Sequence, residues 1–283
     1  QRNTNGMLAP GVQLPAVVGA SAPYQNTADM RTRGWELSLN WRDQIGKVGY
    51  RIGFNLSDYK SEIIKYDDNA ATKLLSSYYP GQTLGEIWGY VVDGYYTVDD
   101  FVDTSSWQLK EGVTSINGYN VRPGDVKFKN LRDDDTSTNV ITSGDNTFDN
   151  PGDRKVIGNT TPRYQYGINL GMNYAGFDLN VILQGTGKRD YWISNVLTFP
   201  MNGDNFVPLF EGLSDYWMPK DPDNGDWSAV NPNAKYPRIY GNRGNSGSNL
   251  RQSDKYLSDA SYLRIKNITL SYKLPKKWVN QIF

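Results

Sequence analysis

The chain has 283 residues with 30 basic and 30 acidic side chains, a balance that offers no basic patch for nucleic acid and no charge block for a disordered tail. It contains no histidine and no cysteine, which removes disulfides, thiol chemistry, histidine-based triads and the usual zinc ligand set. An enzyme would have to run on carboxylates alone, as glycoside hydrolases do. No apolar run reaches the roughly eighteen residues of a membrane-spanning helix, a criterion blind to alternating strands.

In chain order, the first strand is predicted over 34–41, where Trp35, Leu37, Leu39 and Trp41 share one parity. A tight link at 42–47 leads to 48–57, with Val48, Tyr50, Ile52, Phe54 and Leu56 opposite Gly49, Arg51, Gly53, Asn55 and Ser57. A long polar insert, 58–162, follows. The third strand, 163–174, sets Tyr164, Tyr166, Ile168, Leu170, Met172 and Tyr174 against Gln165, Gly167, Asn169, Gly171 and Asn173. After a turn at Ala175-Gly176, the strand 177–186 places Phe177, Leu179, Val181 and Leu183 on one side. A second insert, 187–261, precedes a last strand carrying Ile268, Leu270, Tyr272 and Leu274. Side chains alternate between the two faces of a strand, so each stretch has one apolar face and one small, polar face.

The connections decide between two environments. A soluble sandwich spreads loops of similar length over both ends and covers its apolar face with a second sheet. An outer-membrane barrel puts short turns on one side and long loops on the other, with the apolar face toward lipid. Here the links at 42–47, 175–176 and 275–283 all fall on one side. The fold class expected is therefore all-β, an antiparallel transmembrane β-barrel segment with long extracellular loops at 58–162 and 187–261. Aromatic residues make up 13% of the chain, and Trp35, Trp41, Tyr50, Tyr59, Tyr164, Tyr174, Tyr272 and Trp278 sit where strands would leave hydrocarbon, as interfacial girdles do. Ordinary sheet core or a carbohydrate platform is the other reading of these rings.

The inserts hold the candidate binding residues. Trp88, Tyr95, Tyr96, Tyr191 and Trp192 lie among asparagine, aspartate and glycine, and flat rings beside amides and carboxylates grip sugar rings as well as protein partners. Folding of the loop itself is the competing role for each ring. Asp145, Asp149 and Asp153 place oxygens at spacings that resemble a calcium loop. The third position after Asp145 is Thr147, no glutamate follows, and a structural turn is the competing reading. The run 133–135 reads as a solvated loop face. No other cofactor is expected.

No signal peptide opens the sequence, and five strands cannot close a barrel that needs about eight. An open apolar sheet with two bare edges would aggregate. The expectation is a piece of a longer protein.

Several elements carry a family resemblance. Gly85-Glu-Ile-Trp-Gly-Tyr-Val-Val-Asp-Gly-Tyr-Tyr96, Pro123-Gly-Asp-Val-Lys-Phe-Lys129 and Gly152-Asp-Arg-Lys-Val-Ile-Gly-Asn159 are similar, in order and approximate spacing, to elements of SusC/RagA-like TonB-dependent transporters. So are Gln25-Asn26 before Gly34-Trp-Glu-Leu37, Gly176-Phe-Asp-Leu179 with Gln184-Gly185, and Tyr262-Leu-Arg-Ile-Lys-Asn-Ile-Thr-Leu270. The asparagine-glycine-aspartate-glycine loop that many relatives carry near 145 is missing. The resemblance implies a piece from the C-terminal half of a barrel of about twenty-two strands, with the plug and the remaining strands absent from this sequence. It further implies an outer-membrane importer of a Gram-negative bacterium with no catalytic residues. Such an importer takes up oligosaccharides or oligopeptides beneath a SusD/RagB-like lipoprotein lid, and the TonB complex drives it through the missing N-terminal part. The rival class is a secreted soluble β-rich carbohydrate-binding or glycan-hydrolysing domain. A porin-like passive channel is a third reading.

Overall fold

The computed structural model of the chain describes residues 1–10, 17, 19, 23–132, 139–194, 209–240 and 247–275. The acidic run 133–135, Trp278 and the last part of the expected turn at 275–283 lie outside the described residues.

A single antiparallel sheet organises the molecule. Its strands are β1 (Arg2–Pro10), β2 (Tyr24–Ile45), β3 (Val48–Tyr66), β10 (Arg163–Tyr174), β11 (Phe177–Lys188) and β16 (Tyr262–Tyr272), side by side in that order. The remaining strands fall in the two inserts. The tight turns Ile45–Val48 and Tyr174–Phe177 lie at one end of the sheet, and both inserts leave from the other. The turn at Ala175-Gly176 has positive φ at both residues, which matches the right-handed twist of the strands it joins.

Register carries the face pattern across strands. One row runs Leu39, Phe54, Ile168, Leu183 and Ile265, and the next runs Trp41, Ile52, Leu170, Val181 and Ile268. On the opposite face, Ser38, Asn55, Gly167, Gln184 and Arg264 form one row, and Arg42, Arg51, Gly171, Asn180 and Thr269 form another. No second layer covers the apolar rows among the described residues: Trp41 is 61% exposed, Ile268 60% and Leu270 67%. Broad uncovered apolar surfaces mark contact with a partner or a membrane. At the turn end Trp41 Nε1 donates to Tyr50 Oη at 3.4 Å, and the Phe177 and Tyr272 rings sit 4.5 Å apart. Tyr59 is opposite Gly34 and shares the parity of the polar residues, so it does not belong to the outer girdle.

The structure differs from the sequence expectation in four respects. Strand β1 was not expected; Asn3-Thr4-Asn5-Gly6 has no alternation, and two register shifts accompany its pairing. Strands β2 and β3 run to 22 and 19 residues, well past the expected 34–41 and 48–57. Their upper parts pair through cross-strand complementarity, with Arg31 opposite Glu62, Asp29 opposite Lys65, and the Thr32 and Ser61 hydroxyls 2.8 Å apart. The first insert consequently begins after Tyr66. In β16 a bulge between Asn267 and Ile265 shifts the parity, so Leu263 and Ile265 join the apolar face.

The inserts are not bare loops. The first contains β4 (Glu86–Tyr90), β5 (Val92–Tyr95), β6 (Ser115–Ile116), β7 (Val126–Phe128), β8 (Val140–Ile141) and β9 (Arg154–Asn159). The second contains β12 (Asp190–Trp192), β13 (Pro219–Asp221), β14 (Asp226–Ala229) and β15 (Leu257–Asp259). They pair as β4 with β9, β5 with β7, β6 parallel to β8, β12 with β15 and β13 with β14. The main core of the molecule lies here, built on Tyr90, Tyr96, Phe101, Val126, Phe128 and Ile141. A smaller cluster of Ala9, Ala28, Ile63 and Tyr66 seats the cap on the upper sheet.

Candidate functional site

The two inserts form one cap. From the second insert, Tyr240 Oη donates to Asp125 Oδ2 at 2.5 Å and Asn249 Nδ2 donates to Asp125 Oδ1 at 2.9 Å. Backbone bonds cross the junction in both directions: Arg238 N–H donates to Gly124 O, and Tyr90 N–H to Gln252 O. Val126 N–H donates to Asn249 Oδ1 and Val92 N–H to Asp254 Oδ1. Tyr95 Oη donates to Ala234 O at 3.0 Å. An aromatic chain reinforces the junction, with Arg122 over Trp107, Trp107 edge-on to Trp227 at 5.0 Å, and Arg238 over both Trp227 and Tyr240.

Local sequence explains how these groups are aimed. Gly124 has φ +89, and the Trp217 ring occupies the place a Cβ would take. Asp125 follows directly and caps its own turn by accepting from Arg122 N–H at 2.7 Å. It is 1% exposed. Burial pushes its carboxyl above the ordinary range, against the lowering effect of its hydrogen bonds from Tyr240 and Asn249. Burial, with the charge of Asp125 second, raises the Tyr240 hydroxyl. Lys255, whose ammonium lies 4.5 Å from the Tyr95 ring centroid, is pushed down to about 8 by burial.

The sequence-predicted rings take several different places. Tyr96 is fully buried, donates to Thr114 O at 2.6 Å and is part of the core. Trp88 packs edge-on to Phe148 and donates to Tyr79 Oη at 3.2 Å. Tyr95 is half-buried at the insert junction. Trp192 packs against the Leu213, Tyr236 and Tyr256 cluster. Tyr191, 49% exposed on β12, is the one of the five with an open ring. Folding work thus occupies four of the five, and they do not converge on one surface.

The acidic candidates separate too. Both Asp153 oxygens accept backbone N–H groups, from Leu131 at 2.9 Å and Thr142 at 2.8 Å. Asp145 accepts from Asn150 Nδ2, and Asp149 faces Lys73 at 3.9 Å. Among the described residues no three acidic side chains gather into a cation site. In the loop that carries these residues, Gly144 and Gly152 pack backbone to backbone.

Concave surfaces among the described residues lie on the polar face of the sheet and in the cap. The polar face of the sheet carries a depression of about 700 Å³ bounded by Glu36, Ser57, Gln165, Gln184 and Lys266. Beside it Arg51 lies across Gly171 and reaches Asp178 at 3.3 Å. In the cap, one groove is lined by Trp107, Gln108, Tyr119, Asn120 and Arg122. The other is lined by Tyr90, Asn117, Ser143, Asp145, Arg251 and Gln252. The arginines were not anticipated from sequence, because Arg251 meets Tyr119 across a long stretch of chain that no short-range pattern reports.

No family model matches the chain. Among curated proteins it is similar to TonB-dependent receptors P3, P26 and P39 of Formosa agariphila, at 25%, 23% and 24% identity over 95%, 97% and 96% of this chain. The chain spans about a quarter of the length of these relatives, 24% to 26%. Among solved structures, the fold is similar to the RagAB peptide transporter with a TM-score of 0.61 at 20% identity. It is also similar to the RagAB peptide importer in its closed-closed state, with a TM-score of 0.63 at 20% identity. Each alignment covers 98% of this chain and 26% of the other. The chain is a homologue of TonB-dependent receptors and carries the fold of a segment of their β-barrel, unclosed within these residues.

Proposed function

We propose that this segment belongs to an outer-membrane importer, in which the lower halves of β2, β3, β10, β11 and β16 face lipid and the cap stands outside the cell. The carrying observation is the continuous exposed apolar face from Leu39 to Ile265, backed by a small, amide-rich face suited to a wet lumen. The turns Ile45–Val48 and Tyr174–Phe177 then lie on the periplasmic side. A transmembrane strand needs about ten residues, so roughly half of β2 rises above the membrane as support for the cap.

Capture of an oligosaccharide or oligopeptide between the cap and a SusD-like lipoprotein lid, with TonB supplying energy through other parts of the protein, is the reading we favour. The names of the curated relatives support the receptor class, and the peptide-transporter neighbours support a peptide as one cargo. The residues available for capture are the exposed groove side chains and Tyr191. Nothing in the cap is assigned a catalytic role.

The test is extraction and uptake with the intact protein. It is expected to sediment with outer membranes, to require detergent, and to import labelled glycan or peptide only when TonB is present. A protein released into water without detergent that cleaves a glycan would overturn the reading in favour of a secreted hydrolase. Uptake that survives deletion of TonB would make it a passive channel.

A further inference from the structure

We infer that the groove beside Arg251 binds a carboxylate group of the transported ligand, an inference that rests on the importer reading above. Arg251 is positioned by two rings, its guanidinium lying 5.2 Å from the Tyr90 centroid and 5.2 Å from the Tyr119 centroid. Ring contacts consume none of its five N–H donors. Among the described residues it makes no ion pair and no side-chain hydrogen bond, although Asp145, held by Asn150, belongs to the same groove lining. A guanidinium held in place with its donor edge unspent is the arrangement that takes a carboxylate bidentately.

The neighbourhood favours an anion. Arg154 stands near enough that, after burial, repulsion from Arg251 helps lower its basicity. Arg154 has its own acceptors in Pro151 O, Asn146 Oδ1 and Ser143 O. It therefore adds positive potential without competing for the ligand. The groove has a volume of about 550 Å³, room for a few sugar or amino-acid units. Its rim is exposed and polar, with Asn117, Ser143 and Gln252 able to bond hydroxyls or amides next to the acid. A uronic acid in a glycan and the C-terminus of a peptide present the same carboxylate.

The intact receptor in detergent micelles is titrated calorimetrically with trigalacturonate and with its neutral counterpart galactotriose. In a second arm it is titrated with a tripeptide bearing a free or an amidated C-terminus. In at least one arm the acid is expected to bind about tenfold more tightly than its uncharged partner. Arg251→Gln abolishes that preference, and Arg251→Lys keeps part of it. Ser143→Trp fills the groove from its exposed rim and weakens acid binding by a similar factor. Equal binding of acid and neutral partner in both arms overturns the inference, as does an acid preference that survives Arg251→Gln. TonB-dependent uptake of the neutral ligands is measured alongside. If that uptake stands while the acid preference is absent, the carboxylate site is wrong and the importer reading survives.

Discussion

Tyr240 donates a 2.5 Å hydrogen bond to Asp125, joining two residues 115 positions apart and two inserts that leave the sheet at different strands. Removing the carboxylate with Asp125→Ala takes away the acceptor of the Tyr240 hydroxyl and the Arg122 N–H and leaves the Asn249 amide only its long bond to Arg238 O. Losses of this kind cost on the order of 2–4 kcal/mol locally. Hydrogen exchange in the intact receptor is expected to accelerate at Val126 and Arg238, whose N–H groups span the junction, while β10 and β11 keep their protection.

The same carboxyl sets a pH dependence. Its affinity for a proton is higher in the folded cap than in an unfolded chain, because burial disfavours the charge. The stability this contributes is present below the ordinary carboxylate pKa and is lost as pH rises through the raised one. Acidification from neutral is therefore expected to tighten the junction. Exchange at Val126, corrected for intrinsic rates, should slow on lowering the pH, and Asp125→Asn should remove the effect.

Lys255 gives the opposite kind of signal. Burial lowers its ammonium to about 8, so the folded cap binds this proton less tightly than the unfolded chain does. Its destabilisation is constant below about 8 and is relieved as pH rises from there toward the ordinary lysine value. Competitive acetylation followed by mass spectrometry should place its half-maximal reactivity near 8. An ordinary lysine titration curve at this position would contradict the packing described around Tyr95.

Gly124→Ala should damage the cap out of proportion to one methyl group. The backbone is left-handed there, and the new Cβ would fall on the Trp217 ring. Strain of about 1–3 kcal/mol adds to the cost of moving a buried indole. The expected readout is a lower melting temperature of the cap with unchanged sheet content by circular dichroism.

On the sheet, Leu170→Arg and Asn169→Arg differ by one residue and by environment. Leu170 sits in the apolar row with Ile52 and Val181, and a charge there should cost about 2–4 kcal/mol in a bilayer. Asn169 faces the polar side opposite Gly53, and its replacement should be tolerated. Urea unfolding of the receptor in lipid vesicles checks the pair. Equal tolerance of both would deny that hydrocarbon covers the apolar rows.

Much of the sheet could be read from sequence because its information is local. Alternation in 48–57 and 163–174 names the faces, and Ala175-Gly176 names the turn. Strand β1 lacked that signal, and the upper parts of β2 and β3 hide among charged residues whose pairing depends on a partner strand. The bulge in β16 was equally invisible, since a parity shift leaves the composition unchanged. The cap was legible only as aromatic-rich insert. Whether a tyrosine is an anchor or a binding surface depends on contacts such as Tyr95 with Ala234, and these join segments more than a hundred residues apart. The family motifs mark the cap's scaffolding, as Gly124, Asp125 and Asp153 illustrate, and so they pointed to its fold and not to its ligand.

Because Asp125 takes its side-chain hydrogen-bonding partners from the other insert, neither insert is a separable module. A chimera that swaps residues 67–162 into a relative would leave a buried carboxylate facing foreign side chains, and swapping 187–261 alone would leave the converse gap. Transfer of ligand preference between such proteins therefore calls for both segments to be grafted together. The pair, not the single loop, is the unit to exchange.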